Sequence, residues 1–219
     1  FPTRRSSDLR TNSVCAGYHY PLPSIDSVVQ EIAGSNANYL SVSDCSLGFH
    51  QIKLARGSRD LTTISTPISN RRVRYRVCPF GLAQSIYAFL LVLNKTLHKH
   101  FHRGIALYVD DVTVYTSGEF PDHLAKLHEL FELFKINNLC LNPKKSSFAF
   151  QEIDVLGYRI SSNGIQIRSD RTKAIIESKQ PTTVRQVKRF CGAISYFRKF
   201  IPNVSQRSYH MRRLLRKGV

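Results

Sequence analysis

The sequence predicts an α+β fold organised around one apolar hairpin. Residues 105–116 are rich in β-branched and aromatic side chains, and only the adjacent carboxylates of Asp110 and Asp111 interrupt them. Segments with helical periodicity precede and follow this stretch, and a further strand comes earlier in the chain. The order strand, helix, hairpin, helix, strand is typical of a split βαβ arrangement.

In the first part of the chain, the elements alternate between helical and extended patterns. Ser24 follows a Pro-Leu-Pro segment and is suited to cap a helix. Four arginines lie in an alternating stretch, which predicts a hairpin with one phosphate-facing side. The predicted elements are a helix at 24–34, a strand at 39–42 running into Asp44, a hairpin at 60–78 and a loop at 79–82.

The second part of the chain is predicted to complete the fold. A helix with an apolar stripe follows the central hairpin, and a Ser-Ser-Asn-Gly turn joins two further strands. The predicted elements are a helix at 83–100, strands at 105–108 and 112–116, a helix at 121–137 and strands at 155–160 and 165–167. The apolar stripe comprises Leu124, Leu127, Leu130, Phe131 and Phe134.

Composition and charge restrict the classes of partner. The 219 residues are 42% hydrophobic and carry a formal net charge of +17, with a pI near 10.0. Such an excess of positive charge predicts a polyanionic partner, above all nucleic acid. Neither a long uncharged apolar run nor a secretory signal is visible, so no membrane partner is expected. The five scattered cysteines contain no CxxC pair and are expected to be reduced thiols of an intracellular protein.

The positive charge is concentrated near the end of the chain. From Ser178 to Val219 there are eleven lysines and arginines and no acidic residue. Apolar residues recur there at helical spacing, at Val184, Val187, Cys191 and Ile194. The pattern predicts a helical subdomain with one apolar and one basic face. A merely solvated face is the alternative, but the unopposed charge favours a phosphate-contacting surface.

The first nine residues, FPTRRSSDL, match one reading frame of a common sequencing-adapter primer. We expect residues 1–9 to be translated adapter, and they are left out of the predicted fold, as any fusion scar would be.

Three carboxylates are expected to meet in the predicted fold. Asp44 ends the first strand, and the split βαβ order puts it beside the hairpin tip that carries Asp110 and Asp111. An Asp-Asp pair alone is most often a solvated turn. Three such acids in a strongly basic chain instead favour Mg²⁺, which prefers oxygen ligands, and a pair of ions roughly 3.5–4 Å apart is typical of phosphoryl transfer.

Seven segments occur in a fixed order along the chain: YPLPSID (20–26), SDCSLGFHQI (43–52), CPFGL (78–82), YVDD (108–111), LCLNPKK (139–145), VLGYRIS (155–161) and QPTTVRQVKRFCGAISYFRKFIPN (180–203). Together they resemble the reverse transcriptase of gypsy-type LTR retrotransposons, over residues 12–218. The resemblance implies a right-hand polymerase fold of fingers, palm and thumb. It also implies two-metal nucleotidyl transfer to a primer 3′-hydroxyl, with two Mg²⁺ ions or with Mn²⁺ in their place.

The resemblance further implies a role for each matching residue. The catalytic residues would be Asp44, Asp110, Asp111 and Lys145. The metal ligands would be the three acids together with the backbone carbonyl of Cys45. Lys145 would protonate the leaving pyrophosphate, unless it is only a solvated loop lysine.

The nucleotide site would comprise Phe49, Phe80, Gly81, Tyr108 and Val109. Phe49 would be the steric gate against a ribose 2′-hydroxyl, with a plain core residue as the alternative. The primer grip would comprise Leu156, Gly157 and Tyr158. The nucleic-acid backbone would be contacted by Arg185, Lys188, Arg189, Arg198, Lys199, Arg212 and Arg213.

Subdomains and partners follow from the same resemblance. Partial fingers are expected at 10–39 and 53–84, the palm at 40–52 and 85–163, and the end of the primer grip with a basic helical thumb at 164–219. The implied partners are an RNA or DNA template with a DNA primer, deoxynucleoside triphosphates, and the ribonuclease H and integrase domains of a Pol polyprotein. The implied location is cytoplasmic, within virus-like particles.

Several positions depart from the family pattern. The usual Asn-Ala-Pro, glutamine and cysteine are replaced by Gln84-Ser85-Ile86, Leu90 and Ser146. We also expect an N-terminal fingers segment, with an arginine that grips the triphosphate, to be missing. Two functions therefore stay open: an RNA-directed DNA polymerase core, and a noncatalytic nucleic-acid-binding remnant of a decayed element. An RNA-templated RNA polymerase is disfavoured by Phe49.

Overall fold

The computed structural model of the chain describes residues 12, 20–65 and 71–215, so the expected adapter segment lies outside the described residues. The chain divides into two compact units. The first comprises Phe1–Leu156 and Ile160–Ile165, and the second comprises Gly157–Arg159 and Gln166–Val219.

Within the described residues, the first unit is built mainly from three long helices and a four-stranded sheet. Its elements are α1 (Ile25–Gly34), β1 (Tyr39–Cys45), β2 (Ile64–Ser65), β3 (Arg72–Val73), α2 (Ala83–Leu97), β4 (Ile105–Tyr108), β5 (Asp111–Thr116), α3 (Phe120–Ile136), β6 (Leu141–Phe150) and β7 (Glu152–Val155). A 3₁₀ turn at Gly48–Gln51 follows β1.

The main sheet has the strand order β4-β5-β1-β6, and every pairing in it is antiparallel. The hairpin β4–β5 therefore lies beside β1, with α2 and α3 as the helices that precede and follow it in the chain. This arrangement confirms the predicted α+β class and the split βαβ order.

One hydrophobic core holds the hairpin in place. Buried side chains of α2, α3 and both hairpin strands form a single cluster that also contains Cys45 at the end of β1. Burial of each large aliphatic or aromatic side chain stabilises the fold by about 1.5–3 kcal/mol. The strands that carry the conspicuous acids are thus supported by packed apolar side chains.

Local sequence signals predicted several helix boundaries correctly. The side chain of Ser24 accepts a hydrogen bond from the backbone of Ser27 and caps α1, as predicted. Pro121 lies in the first turn of α3, where a capping box formed by Glu119 and Asp122 begins the helix. The helix predicted at 83–100 begins at Ala83, as predicted, but ends at Leu97.

The predicted apolar stripe of α3 is partly wrong. Leu127, Leu130 and Phe134 are buried, whereas Leu124 and Phe131 are 55% and 41% exposed. His123 is fully buried in place of Leu124, because two hydroxyl groups satisfy its ring. Ser41 Oγ lies 2.7 Å from His123 Nε2, and Thr116 Oγ1 lies 2.8 Å from Nδ1.

Two strand predictions need correction as well. The hairpin predicted at 60–78 is reduced, within the described residues, to the two-residue pair β2–β3 and an isolated bridge between Lys53 and Val77. The single strand predicted at 155–160 is interrupted after Val155 by a turn with positive φ at Leu156 and Gly157.

The ten-residue strand β6 was not predicted. Its sequence, LNPKKSSFAF, has no clean alternation and contains a proline and two lysines. These features suit an edge strand, where missing donors and charged side chains are tolerated. The sheet order indeed places β6 at an edge, next to β1.

The second unit is helical after its first residues. The strands β8 (Tyr158–Ser161) and β9 (Gly164–Ile167) flank the predicted Ser-Ser-Asn-Gly turn, and their residues within Ile160–Ile165 belong to the first unit. In the described part of the second unit, four helices follow: α4 (Ser169–Ile176), α5 (Val184–Tyr196), α6 (Val204–Arg207) and α7 (Tyr209–Arg213). Of these, α5 begins with a capping box formed by Thr183 and Gln186. As its periodicity predicted, Val187 and Cys191 are buried, although Val184 is 60% exposed.

Within the described residues, no helix is long and apolar enough to cross a bilayer.

Candidate active site

The sheet brings the three predicted acids to one end of neighbouring strands. Asp44 lies directly opposite Asp111 in the β1–β5 pairing, so the two side chains share one face of the sheet. The backbone N–H of Cys45 donates to the carbonyl oxygen of Asp110 at 3.2 Å. The predicted meeting of Asp44 with the YVDD turn is therefore observed.

The turn that carries Asp110 is tight and strained. Tyr108 pairs with Asp111, which leaves only Val109 and Asp110 in the turn. Val109 has a φ of +58°, a left-handed conformation that costs an L-residue roughly 1–2 kcal/mol and is rare for β-branched side chains. The paired strands and the core beneath them hold this conformation. Strain of this kind is often found at functional sites.

The carboxylates perturb one another electrostatically. Partial burial and the negative charges of Asp110 and Asp44 raise the pKa of Asp111 to about 6, against a smaller opposing effect of Lys145. Burial and the same acids raise the pKa of the Cys45 thiol to about 12. The thiol therefore stays protonated, and only the backbone carbonyl of Cys45 is suited as an oxygen ligand.

The donor set fits a hard divalent cation, but it does not form a complete cage. Across the described residues, no group of three or more His, Cys, Asp or Glu side chains is arranged to enclose a metal ion. Mg²⁺ is usually held by one or two carboxylates together with substrate phosphates and water. Burial, and after it the negative charges of Asp110 and Asp44, raise the pKa of Asp111, and a bound cation would offset the repulsion among the acids.

Lys145 lies beside the acids on strand β6. Its Nζ is 3.4 Å from Asp44 Oδ2, although 67% of the lysine side chain is exposed. Lys145 belongs to strand β6 rather than to a loop, and it lies where the pairing of β6 with β1 is shifted, between Asn142 and Ser147. An exposed ammonium next to a catalytic acid remains available to a ligand.

Two of the predicted nucleotide residues, Phe49 and Phe80, pack against each other. Phe49, in the 3₁₀ turn after β1, is half-buried and packs against the core cluster. Its ring meets Phe80 edge-on at 5.6 Å and the buried Phe89 at 5.9 Å. Phe80 is 62% exposed and precedes Gly81, whose φ is +87°. The ring of Phe49 therefore contacts the buried Phe89 in the core and the exposed Phe80 in the loop.

Asn12 supports this loop, and sequence reasoning missed it. Its side-chain amide donates to the carbonyl of Gly81 at 3.0 Å and accepts from the N–H of Ala83 at 2.9 Å. Leu82, which precedes α2, provides no side-chain cap. Asn12, from a remote part of the chain, instead accepts a hydrogen bond from a backbone N–H in the first turn of the helix. No local signal in the sequence could have shown this contact.

The predicted primer-grip residues form a strained turn. Leu156 and Gly157 have φ values of +49° and +87°. A Cβ at Gly157 would lie 2.7 Å from the guanidinium carbon of Arg171, so glycine allows that side chain to approach the backbone. Arg171 also lies 5.4 Å above the ring of Tyr196, which stacks on the buried Tyr158 at 5.7 Å.

The basic residues predicted to contact a nucleic-acid backbone all belong to the second unit and are all exposed: Arg185, Lys188, Arg189, Arg198, Lys199, Arg212 and Arg213. Arg212 also has a structural role, since its guanidinium donates to Ser208 Oγ at 2.9 Å and to Ser195 Oγ at 3.2 Å.

The antiparallel sheet with acids at the end of β1 and in the β4–β5 turn defines the class of nucleic-acid polymerases with a palm subdomain. Residues 6–160 match the sequence profile of the family described as Reverse transcriptase (RNA-dependent DNA polymerase). The chain belongs to this family.

Comparisons with curated proteins and solved structures agree with the family. The chain is 31% identical over 197 residues to the retrovirus-related Pol polyprotein from transposon opus of Drosophila melanogaster, and 34% identical over 201 residues to that from transposon 412. These matches cover 90% and 91% of this chain. The Tf2-3 polyprotein of Schizosaccharomyces pombe is 27% identical over 91% of this chain.

The fold is similar to that of foamy viral protease-reverse transcriptase. A structure of that protein with double-stranded DNA matches with a TM-score of 0.82 at 21% identity, covering 91% of this chain and 34% of the other. A structure with an RNA/DNA hybrid matches with a TM-score of 0.77, over 93% of this chain and 27% of the other. The polymerase fold predicted from the motifs is confirmed. The chain spans 15–19% of the length of the curated relatives named above.

Proposed function

We propose that this chain is the core of an RNA-directed DNA polymerase of a retrotransposon, which transfers nucleotides to a primer 3′-hydroxyl. The observation that carries the proposal is the position of Asp44 opposite Asp111, beside the Asp110 turn, in a member of the reverse transcriptase family. The ordered motifs and the transposon relatives further support a gypsy-type element as the source.

The acids are proposed to hold two Mg²⁺ ions, with Mn²⁺ as a substitute. Asp44, Asp110 and the carbonyl of Cys45 would be the principal ligands, with Asp111 as the third acid. When bound, such ions lower the pKa of a hydroxyl nucleophile and neutralise triphosphate charge. The position of Asp44 opposite Asp111 and beside the Asp110 turn supports this assignment, because closely spaced carboxylates favour a neutralising cation.

The remaining site residues are proposed to position the nucleotide. Phe49 would lie against the sugar and exclude a ribose 2′-hydroxyl, since its half-buried ring packs against Phe89 on the side of the core. Phe80 and Gly81 would border the nucleotide, and Lys145 would donate a proton to the leaving pyrophosphate. The distance of 3.4 Å between Lys145 Nζ and Asp44 supports this last role, because it keeps an ammonium group beside the acids.

The partners proposed are a template–primer duplex and deoxynucleoside triphosphates. The net charge of +17 and the seven exposed basic residues of the second unit support contact with phosphates. The foamy viral structures that match this fold contain double-stranded DNA or an RNA/DNA hybrid. A cytoplasmic location within virus-like particles, and the ribonuclease H and integrase domains as further partners, are part of the same proposal.

Primer extension tests the function directly. The chain is incubated with an RNA template, a DNA primer, deoxynucleoside triphosphates and Mg²⁺, in parallel with its Asp110→Asn variant. We expect extension by the unaltered chain and none by the variant, while both bind the duplex equally. Duplex affinity should fall steeply with salt. Each neutralised phosphate contributes roughly −0.9 to the slope of the logarithm of the binding constant against the logarithm of the salt concentration.

A second outcome separates the polymerase from a noncatalytic binding remnant. Binding with a steep salt dependence but no extension, under any divalent metal, would show that the chain keeps only the nucleic-acid surface. Neutralising Arg198, Lys199, Arg212 and Arg213 together should flatten the salt dependence in either case. An affinity independent of salt would refute the assignment of the basic surface.

A further inference from the structure

The side chain of Gln51 connects two backbone segments next to the acids. Gln51 is the last residue of the 3₁₀ turn that contains Phe49. Its amide nitrogen donates to the carbonyl of Ser46 and, at 2.9 Å, to the carbonyl of Cys140. Its amide oxygen accepts from the N–H of Cys140 at 2.7 Å. Both amide hydrogens and one acceptor position are therefore used.

These hydrogen bonds lie where β1 and β6 approach the acids. Ser46 follows β1, and its own N–H donates to the carbonyl of Cys140 at 2.9 Å. Further along β1, the pairing with β6 is shifted at two points, between Leu40 and Val42 and between Val42 and Asp44. A ladder interrupted by such bulges specifies its register weakly. The amide of Gln51 thus fixes the end of the β1–β6 pairing.

The same amide closes the loop that contains Phe49. Leu47 has a φ of +56° and Gly48 a φ of +40°, and the left-handed conformation at Leu47 costs roughly 1–2 kcal/mol. A strained loop persists only where its surroundings hold it. The hydrogen bond from Gln51 to Ser46 joins the two ends of this loop, with Phe49 between them.

We propose that Gln51 is a positioning residue for sugar selection: its amide holds the turn that sets the ring of Phe49 relative to the acids. The inference rests on the proposed polymerase function and on Phe49 as the residue that meets the sugar. Phe80 and Phe89 contact the ring of Phe49 from the sides. The backbone under Phe49 is held by Gln51, so the loss of the amide should let the ring move while the core stays packed.

The test compares Gln51→Leu, which removes all three hydrogen bonds at similar size, with Gln30→Leu, which removes an exposed amide from α1. Catalytic efficiency is measured for matched deoxy- and ribonucleotides in single-nucleotide primer extension. A displacement of about 1 Å can change the rate by up to about 100-fold. We expect Gln51→Leu to reduce the preference for deoxynucleotides at least ~10-fold, and Gln30→Leu to leave it unchanged.

A double variant shows whether Gln51 acts through Phe49. If it does, Gln51→Leu should reduce the preference in the unaltered chain but add little in Phe49→Val, because the ring to be positioned is gone. Gln51→Asn, whose shorter side chain cannot reach both segments, is the second variant should Gln51→Leu fold poorly. It is expected to reduce the preference in the same direction.

The outcomes separate this inference from the proposed function. Equal loss of activity on both sugars in the Gln51 variants would show a purely structural role and would overturn the inference, with the polymerase function intact. Additive effects of Gln51→Leu and Phe49→Val would overturn it as well. No extension by the folded, duplex-binding, unaltered chain would instead refute the proposed function, and the inference with it.

Discussion

Replacing Asp111 with asparagine should stabilise the metal-free protein while abolishing nucleotide transfer. The pKa of Asp111 is raised to about 6 in the folded chain, first by burial and then by Asp110 and Asp44. An aspartate in an unfolded chain has a pKa near 3.9. The folded protein therefore binds more protons than the unfolded chain between these two values, and ionised Asp111 lowers stability above pH 6.

The size of the effect follows from the difference between the two pKa values. A difference of about two corresponds to roughly 3 kcal/mol, and screening by solvent around this partly exposed carboxylate reduces the figure to about 1.5 kcal/mol. The neutral amide of Asp111→Asn avoids this cost. We expect the variant to raise the melting temperature by roughly 3–6 °C at pH 7.5 for a chain of this size.

Unfolding by heat or urea in the presence of a chelator measures the difference. The advantage of Asp111→Asn should shrink as the pH falls through 6 towards 4, where the native carboxyl becomes protonated. Added Mg²⁺ should narrow it, because the cation stabilises the native acids. Asp170→Asn is the matched control, since a hydrogen bond from Arg168 lowers the pKa of Asp170. That variant should not be stabilised. An equal gain at pH 7.5 and pH 4, or no gain at pH 7.5, would refute the electrostatic argument.

Three further predictions concern single residues. Phe49→Val should increase ribonucleotide incorporation in primer extension by well over the ~10–200-fold that one methylene in a pocket supplies, because exclusion by the ring acts through a clash. His123→Leu should lower the free energy of unfolding by about 2–4 kcal/mol, since two hydroxyl groups lose their partner. Burial lowers the pKa of His123, so the native chain should lose stability as the pH falls below about 6.5, and a residue that does not titrate should remove this dependence. Gly157→Ala should cost about 1–2 kcal/mol, because a Cβ at positive φ is strained and displaces the guanidinium of Arg171.

Each of these predictions has a contradicting result. An unchanged ratio of ribo- to deoxynucleotide incorporation would make Phe49 a core residue only. If His123→Leu still lost stability as the pH falls, the pH dependence would have to come from another titratable group. In urea unfolding, Gly157→Ala should cost less when Arg171→Ala is also present. Equal costs in both backgrounds would show that the guanidinium is not the obstacle.

Local features of the sequence were sufficient to predict the elements that carry the acids. The β-branched run interrupted by Asp110 and Asp111 predicted a hairpin, and the serine before α1 predicted a helix start; both are observed. Periodicity failed where residues face an unusual environment. Leu124 was expected in the core, but His123 occupies that position because hydroxyl groups from β1 and β5 satisfy its ring. Strand β6 was missed because an edge strand needs no apolar alternation.

By itself, the sequence determined the central hairpin and the helices on either side of it, the three acids and the basic C-terminal stretch, because these depend on residue type and short-range spacing. Only the tertiary structure decided which distant groups meet. It placed Asp44 opposite Asp111, set Lys145 3.4 Å from Asp44 and joined Gln51 to the backbone of Cys140. It also fixed the raised pKa of Asp111. These properties depend on strand register and burial, which arise when the whole chain packs and which no local pattern specifies.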